Sequence, residues 1–312
     1  MGLVLLVAGL GLLALPALTR QPARRLRPDA WARGSALTLA GGAVVFELAA
    51  VLHAAPTVLR TFGVSALASA CERLVGPLAP GGPWTGWPAT AIAVTVPVLG
   101  WVGLARVRAV RGATRIESWL GHHEPFAGHE LVVLPTPEVL AVSVPGRPGQ
   151  IVVSEGLVEA LAPVELAVVL RHEAAHLDHR HERYLLLATA LEHAFTFLPP
   201  VRRSTATLRT ALERWADEEA TGEDVSQREA LRAALLSLSG ALDAPELAAF
   251  SAAQTVFERV RAMASAPPRP SLLRRVAIYA PGFALGLAVL VATGAWAGEV
   301  RLVVAMAGRC AL

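Results

Sequence analysis

Residues 171–176 read Arg171-His172-Glu173-Ala174-Ala175-His176, two imidazoles flanking a carboxylate. On a helix, positions i and i+4 stand one turn apart on the same face, so His172 and His176 can reach a single metal ion together. Zn2+ takes imidazole nitrogen at about 2.0–2.1 Å, and a catalytic site keeps one position open for water. Glu173, adjacent to the first ligand, can take a proton from that water and deliver it to a leaving amine. Bound zinc lowers the pKa of the water towards about 7 and polarises a scissile carbonyl. One zinc per chain is therefore expected.

Such a site needs a third protein ligand. The segment Leu212-Glu213-Arg214-Trp215-Ala216-Asp217-Glu218-Glu219 is the best source, with Glu213 and Asp217 again at i, i+4. Glu213 is expected to bind the metal, while Asp217 orients a ligand imidazole from behind. Glu218 and Glu219 read as solvated. Asp178, His179 and His181 read as a polar helix end. His122, His123, His129 and His193 have no partner spacing and receive no role.

Helices must carry both segments. Pro163 suits a first helical turn, and Leu166, Val169, Leu170, Ala174 and Leu177 recur at helical spacing behind it. An apolar helix over 184–198 is expected to stop at Pro199-Pro200. A further helix is expected to begin with Ser204 as N-cap and to end near Gly222. Ahead of these, strands are predicted at 131–134, 139–144 and 150–154, punctuated by Pro135, Pro137, Pro145, Gly146 and Gly149.

The remainder of the 312 residues is unusually apolar. Hydrophobic residues make up 54% and charged residues 17%, against about 25% in ordinary soluble domains. Four stretches, 1–19, 34–59, 74–105 (with 87–105 as the span proper) and 276–298, approach the roughly 20 residues that cross a bilayer as helix. All 28 basic residues are arginine, and they cluster beside these stretches. They form no stripe with interleaved aromatics, so direct nucleic-acid binding is not expected despite the +3 net charge. Arg20, Arg24, Arg25, Arg27 and Arg33 follow the first stretch; Arg106, Arg108, Arg111 and Arg115 follow the third; Arg269, Arg274 and Arg275 precede the fourth. By the positive-inside rule these loops face the cytoplasm, with both termini outside. Three units follow: membrane helices over 1–111, a cytoplasmic zinc domain over 112–273, and a fourth membrane helix with a tail over 274–312. Cys71 and Cys310 then share the outer face, where pairing and two free thiols are equally open. Glu47 and His53 lie within a span and read as a polar contact or a signalling feature.

The motif residues, together with Val152-Val153-Ser154-Glu155-Gly156-Leu157 and Glu213-Arg214-Trp215-Ala216-Asp217, resemble the membrane metallopeptidases of the beta-lactam sensor and methicillin-resistance antirepressor family. The wider group includes heat-shock and CAAX-prenyl membrane proteases. The resemblance implies a mainly α membrane protein: four transmembrane helices with a cytoplasmic α+β minigluzincin-like zinc protease domain. It further implies that a strand at Gln150, Ile151, Val152 and Val153 pairs with the substrate backbone by strand addition. The implied partners are the lipid bilayer and a protein or peptide substrate, with a transcriptional repressor as the suggested target. The antibiotic sensors carry a large extracellular domain after the last span, whereas residues 299–312 follow it here, so direct beta-lactam sensing is not expected. The expectation is a zinc endopeptidase in the membrane. A quality-control protease for membrane proteins and a signalling protein with a structural zinc remain as alternatives.

Overall fold

The computed structural model describes residues 2–19, 27–75, 86–117, 121–240 and 259–261. Helix α1 (Gly2–Leu18) runs against α2 (Pro28–Thr61), followed by the short α3 (Ser65–Val75) and by α4 (Trp87–Glu117). Two glycines set the α1–α2 approach. A Cβ on Gly9 would lie 2.7 Å from the Phe46 backbone nitrogen, and one on Gly42 would lie 2.9 Å from that of Leu13. Close backbone contact of this kind is how apolar helices gain dispersion energy where lipid removes the hydrophobic drive.

Two helices, α2 and residues Trp87–Ala109 of α4, are long and apolar enough to cross a membrane, whereas α1 is shorter. Val94, Val98 and Trp101 on α4 and Leu37, Val44 and Val51 on α2 all face outward. The expected fourth span at 276–298 and Cys310 lie outside the described residues, as do Arg20, Arg24 and Arg25. Cys71 is half-buried on α3.

A four-stranded sheet follows: β1 (His122–Phe126), β2 (His129–Leu134), β3 (Ala141–Val144) and β4 (Gln150–Ser154), ordered β1-β2-β4-β3. β2 and β4 run parallel, and the other two pairs are antiparallel. Strand β1 was not expected from the sequence, since His122, His123 and Glu124 leave its surface polar and exposed. Ser154 ends β4 and caps α5 (Glu155–Ala160), its hydroxyl accepting the Leu157 N–H at 3.2 Å.

Helix α6 (Pro163–Asp178) carries the motif and opens with Pro163, while Glu165 accepts the Ala162 N–H at 3.0 Å. Arg180, left-handed at φ 52°, turns the chain into α7 (His181–Ala194) at a cost of about 1–2 kcal/mol. α8 is Pro199–Thr221 and α9 is Val225–Gly240. The prolines 199 and 200 thus open α8; they do not merely stop the previous helix. A proline at the first helical position loses no hydrogen bond and has φ already set. Ser204 is correspondingly not an N-cap. It is buried inside α8, and its hydroxyl accepts the Ala17 N–H from α1 at 3.2 Å.

Two apolar cores meet along α8. One joins Leu13, Trp31, Leu39, Phe46 and Val96 of the first helices to Leu191 of α7, Phe195 just after it, and Leu208, Leu212 and Trp215 of α8. The other joins Ile151 and Val153 of β4 to Val168–Leu170 of α6, Ala220 of α8, and Leu231 and Leu235 of α9. The expected boundary at residue 112 therefore falls inside α4, and the first core draws residues from both sides of it.

Candidate metal centre

His172 and His176 project from the buried face of α6 towards α8. Their Nε2 atoms lie 3.2 Å apart. Glu213 on α8 completes a triangle, with Oε2 3.6 Å from His172 Nε2 and Oε1 3.6 Å from His176 Nε2. A tetrahedral ion with bonds of about 2.0–2.1 Å separates its ligand atoms by about 3.3–3.4 Å. Two imidazole nitrogens and one carboxylate oxygen at these separations fit zinc in donor type and in geometry. This is the group of His, Cys, Asp and Glu side chains, among the described residues, that could hold a metal ion.

Behind the triangle, His172 Nδ1 faces Asp217 Oδ1 at 3.0 Å, and both side chains are buried. Arg259, from a segment 42 residues beyond Asp217, holds that carboxylate with both arms of its fork: Nε to Oδ2 at 2.9 Å and Nη2 to Oδ1 at 2.6 Å. Its Nη1 also reaches Glu213 Oε2 at 3.1 Å. The sequence carries no signal for this residue. No local spacing ties position 259 to 213 or 217, and an arginine beside Phe257 and Val260 carries no motif of its own.

The electrostatics follow from this packing. Burial alone would raise the Glu213 carboxyl, but Arg259 and the two imidazoles outweigh it and hold the group well below the usual carboxylate range. Asp217 is pulled the same way, against burial, by Arg259 and His172. For His172, burial disfavours the cation, yet the Asp217 and Glu213 carboxylates beside the ring lift it to about 9. His176 is lowered by burial and by His172. His181, lowered by burial and by His176 and His179, falls to about 3.

Packing braces the two helices against each other. Arg171 Nε donates to the Ala220 carbonyl at 3.1 Å, and its guanidinium also reaches Gln227 on α9. Arg228 of α9 pairs with Glu218 and donates to the Gly222 carbonyl at 3.1 Å. Glu218, expected to be solvated, is thus a half-buried partner in this brace, whereas Glu219 is exposed. Glu173 is half-buried on α6, and its charge is felt at His176 and Arg259.

The remaining candidates separate clearly. His181, expected in a polar helix end, is fully buried, with Nδ1 3.0 Å from His176 Nδ1. His179 stacks on Trp215 at 4.7 Å, and Asp178 pairs with His129 at 2.9 Å. His193 donates to the Thr189 carbonyl at 2.9 Å within α7.

The expectation that Gln150, Ile151, Val152 and Val153 bind substrate by strand addition is corrected. β4 lies between β2 and β3, so both of its edges are already hydrogen-bonded. Strand addition needs a free edge. Gln150 instead donates to Glu130 Oε2 at 2.7 Å.

Residues 125–264 match the model of peptidase family M48, a stretch that holds the two histidines, Glu213, Asp217 and Arg259. The match supports a zinc metallopeptidase, coarser than the beta-lactam sensor resemblance. No curated protein and no solved structure matches the chain.

Proposed function

We propose that the chain is a membrane-embedded zinc endopeptidase whose metal is held by His172, His176 and Glu213. The observation that carries this reading is the triangle of two Nε2 atoms and one carboxylate at 3.2, 3.6 and 3.6 Å. When bound, zinc supplies an electrophile that polarises the scissile carbonyl and acidifies water. His172 and His176 would hold it through Nε2, and Glu213 would add an oxygen already ionised beside Arg259. Asp217 fixes the His172 ring from Nδ1, and Arg259 fixes Asp217. Glu173 is the general base: its carboxylate accepts a proton from the attacking water and returns it to the leaving nitrogen.

Substrate backbone is best received at β3. Its outer edge is unpaired among the described residues, and it packs beside α6. A peptide laid there gains main-chain hydrogen bonds independent of its sequence. The outward apolar faces of α2 and α4 favour a bilayer as surrounding solvent, which makes membrane-proximal protein segments the natural substrates. A cytoplasmic transcriptional repressor is the target that the family resemblance suggests, and misfolded membrane proteins are the second reading.

In detergent, Glu173→Gln is expected to retain zinc while peptide cleavage falls by at least about 100-fold. A structural-zinc protein would cleave nothing in either form. Equal cleavage by parent and variant would reject Glu173 as the base.

A further inference from the structure

The two ligand imidazoles are supported from behind by different chemistry. His172 Nδ1 faces a carboxylate, Asp217, whereas His176 Nδ1 faces His181 Nδ1 at 3.0 Å. His181 is fully buried at the first turn of α7, its ring standing perpendicular to that of His176 at 4.8 Å between centroids. Trp215, 4.7 Å away, packs against it from α8.

We propose that His181 is a positioning residue for the metal ligand His176, accepting the Nδ1–H of that imidazole on its own Nδ1. The inference rests on the zinc reading above. A histidine that gives its Nε2 lone pair to a metal carries its proton on Nδ1, and that N–H must find an acceptor when buried. His181 Nδ1 is the atom in place to accept it, which fixes the His181 proton on Nε2. Among the described residues that Nε2 has no hydrogen-bond partner, and it lies buried in the aromatic packing.

Charge explains why an imidazole does this work where a carboxylate is more usual. Glu213, Asp217 and Glu173 already bring three carboxylates to the site, and Arg259 is the cation in contact with two of them. A fourth carboxylate behind His176 would be buried without a cation. A neutral acceptor orients the ring and leaves the balance unchanged.

The test is zinc affinity of the full chain in detergent, read by chelator competition. His181→Phe keeps an aromatic ring but removes the acceptor, and zinc binding is expected to weaken about 10–100-fold. His181→Asn returns an acceptor close to the Nδ1 position and is expected to bind within about threefold of the parent. With cobalt in place of zinc, the visible absorption bands are expected to shift in H181F and to stay in H181N. Should H181F fail to fold, the H181N cobalt spectrum decides alone: parent-like bands support the role, and displaced bands overturn it. Zinc binding by folded H181F equal to the parent also overturns it, leaving the metal reading intact. A parent chain that binds no zinc overturns both.

Discussion

Glu213 answers to three cationic or polar neighbours at once, and its behaviour cannot be reasoned from any one of them. With Arg259 3.1 Å away it is ionised before a metal arrives, so it gives up no proton on binding. His172 differs. Raised to about 9, it carries a proton at neutral pH when the metal is absent, and only the neutral ring can ligate. His176 is held neutral. Zinc binding at pH 7 is therefore predicted to release about one proton per chain, and apparent affinity to rise about tenfold per pH unit up to about 9. Calorimetry in buffers of different ionisation enthalpy checks this; release of no proton would show that His172 is not the charged group. At this scale the pairing of His172 with His176 was legible because helical periodicity makes it local, and Glu213 stood out by its i, i+4 spacing to Asp217 on a second helix. Arg259 and His181 were not. One arrives from a distant segment, and the other looks polar until α8 buries it.

Helix α8, which carries Glu213, has its flank held on both sides. Trp215 takes the Arg33 guanidinium of α2 on its ring at 4.8 Å, while Arg214 lies over Trp31 at 5.8 Å. The α1–α2 pair is tight enough that side-chain volume is rationed at its glycines. Gly42→Leu is predicted to cost about 1–3 kcal/mol by overpacking, because its Cβ would meet Leu12 and Leu13 at 2.9 Å. Gly41→Leu, where the nearest atom is 3.9 Å away, is the control and should unfold near the parent temperature. Equal effects in both would contradict this packing. Element types followed from periodicity and proline placement, and β4 ran over 150–154 as read. Strand neighbours did not follow, since pattern gives a strand's faces but not its order in the sheet. That is why β4 was taken for an edge.

The molecule as a whole does not divide at residue 112. Leu191, Phe195, Leu208 and Leu212 of the half that carries His172 and Glu213 are buried against Leu13, Leu39, Phe46 and Val96 of the first three long helices. Each fully buried side chain of this size contributes about 1.5–3 kcal/mol, and a domain's net stability is only about 5–15 kcal/mol. A fragment of residues 112–273 is therefore predicted not to fold alone, and limited proteolysis with circular dichroism would check it. A soluble, protease-resistant, zinc-binding fragment would contradict the shared core. Composition made the apolar segments legible. Which of them turn outward and which pack on α7 and α8 is a tertiary matter that hydropathy cannot separate.

Three side chains from α6 and α8 are positioned to hold one ion. Zinc content of the purified full chain, compared with that of Glu213→Ala and His172→Ala, tests it most directly. About one zinc per parent chain and almost none in either variant is the predicted result, since losing one of three protein ligands opens the site. A full complement of zinc in Glu213→Ala would contradict it.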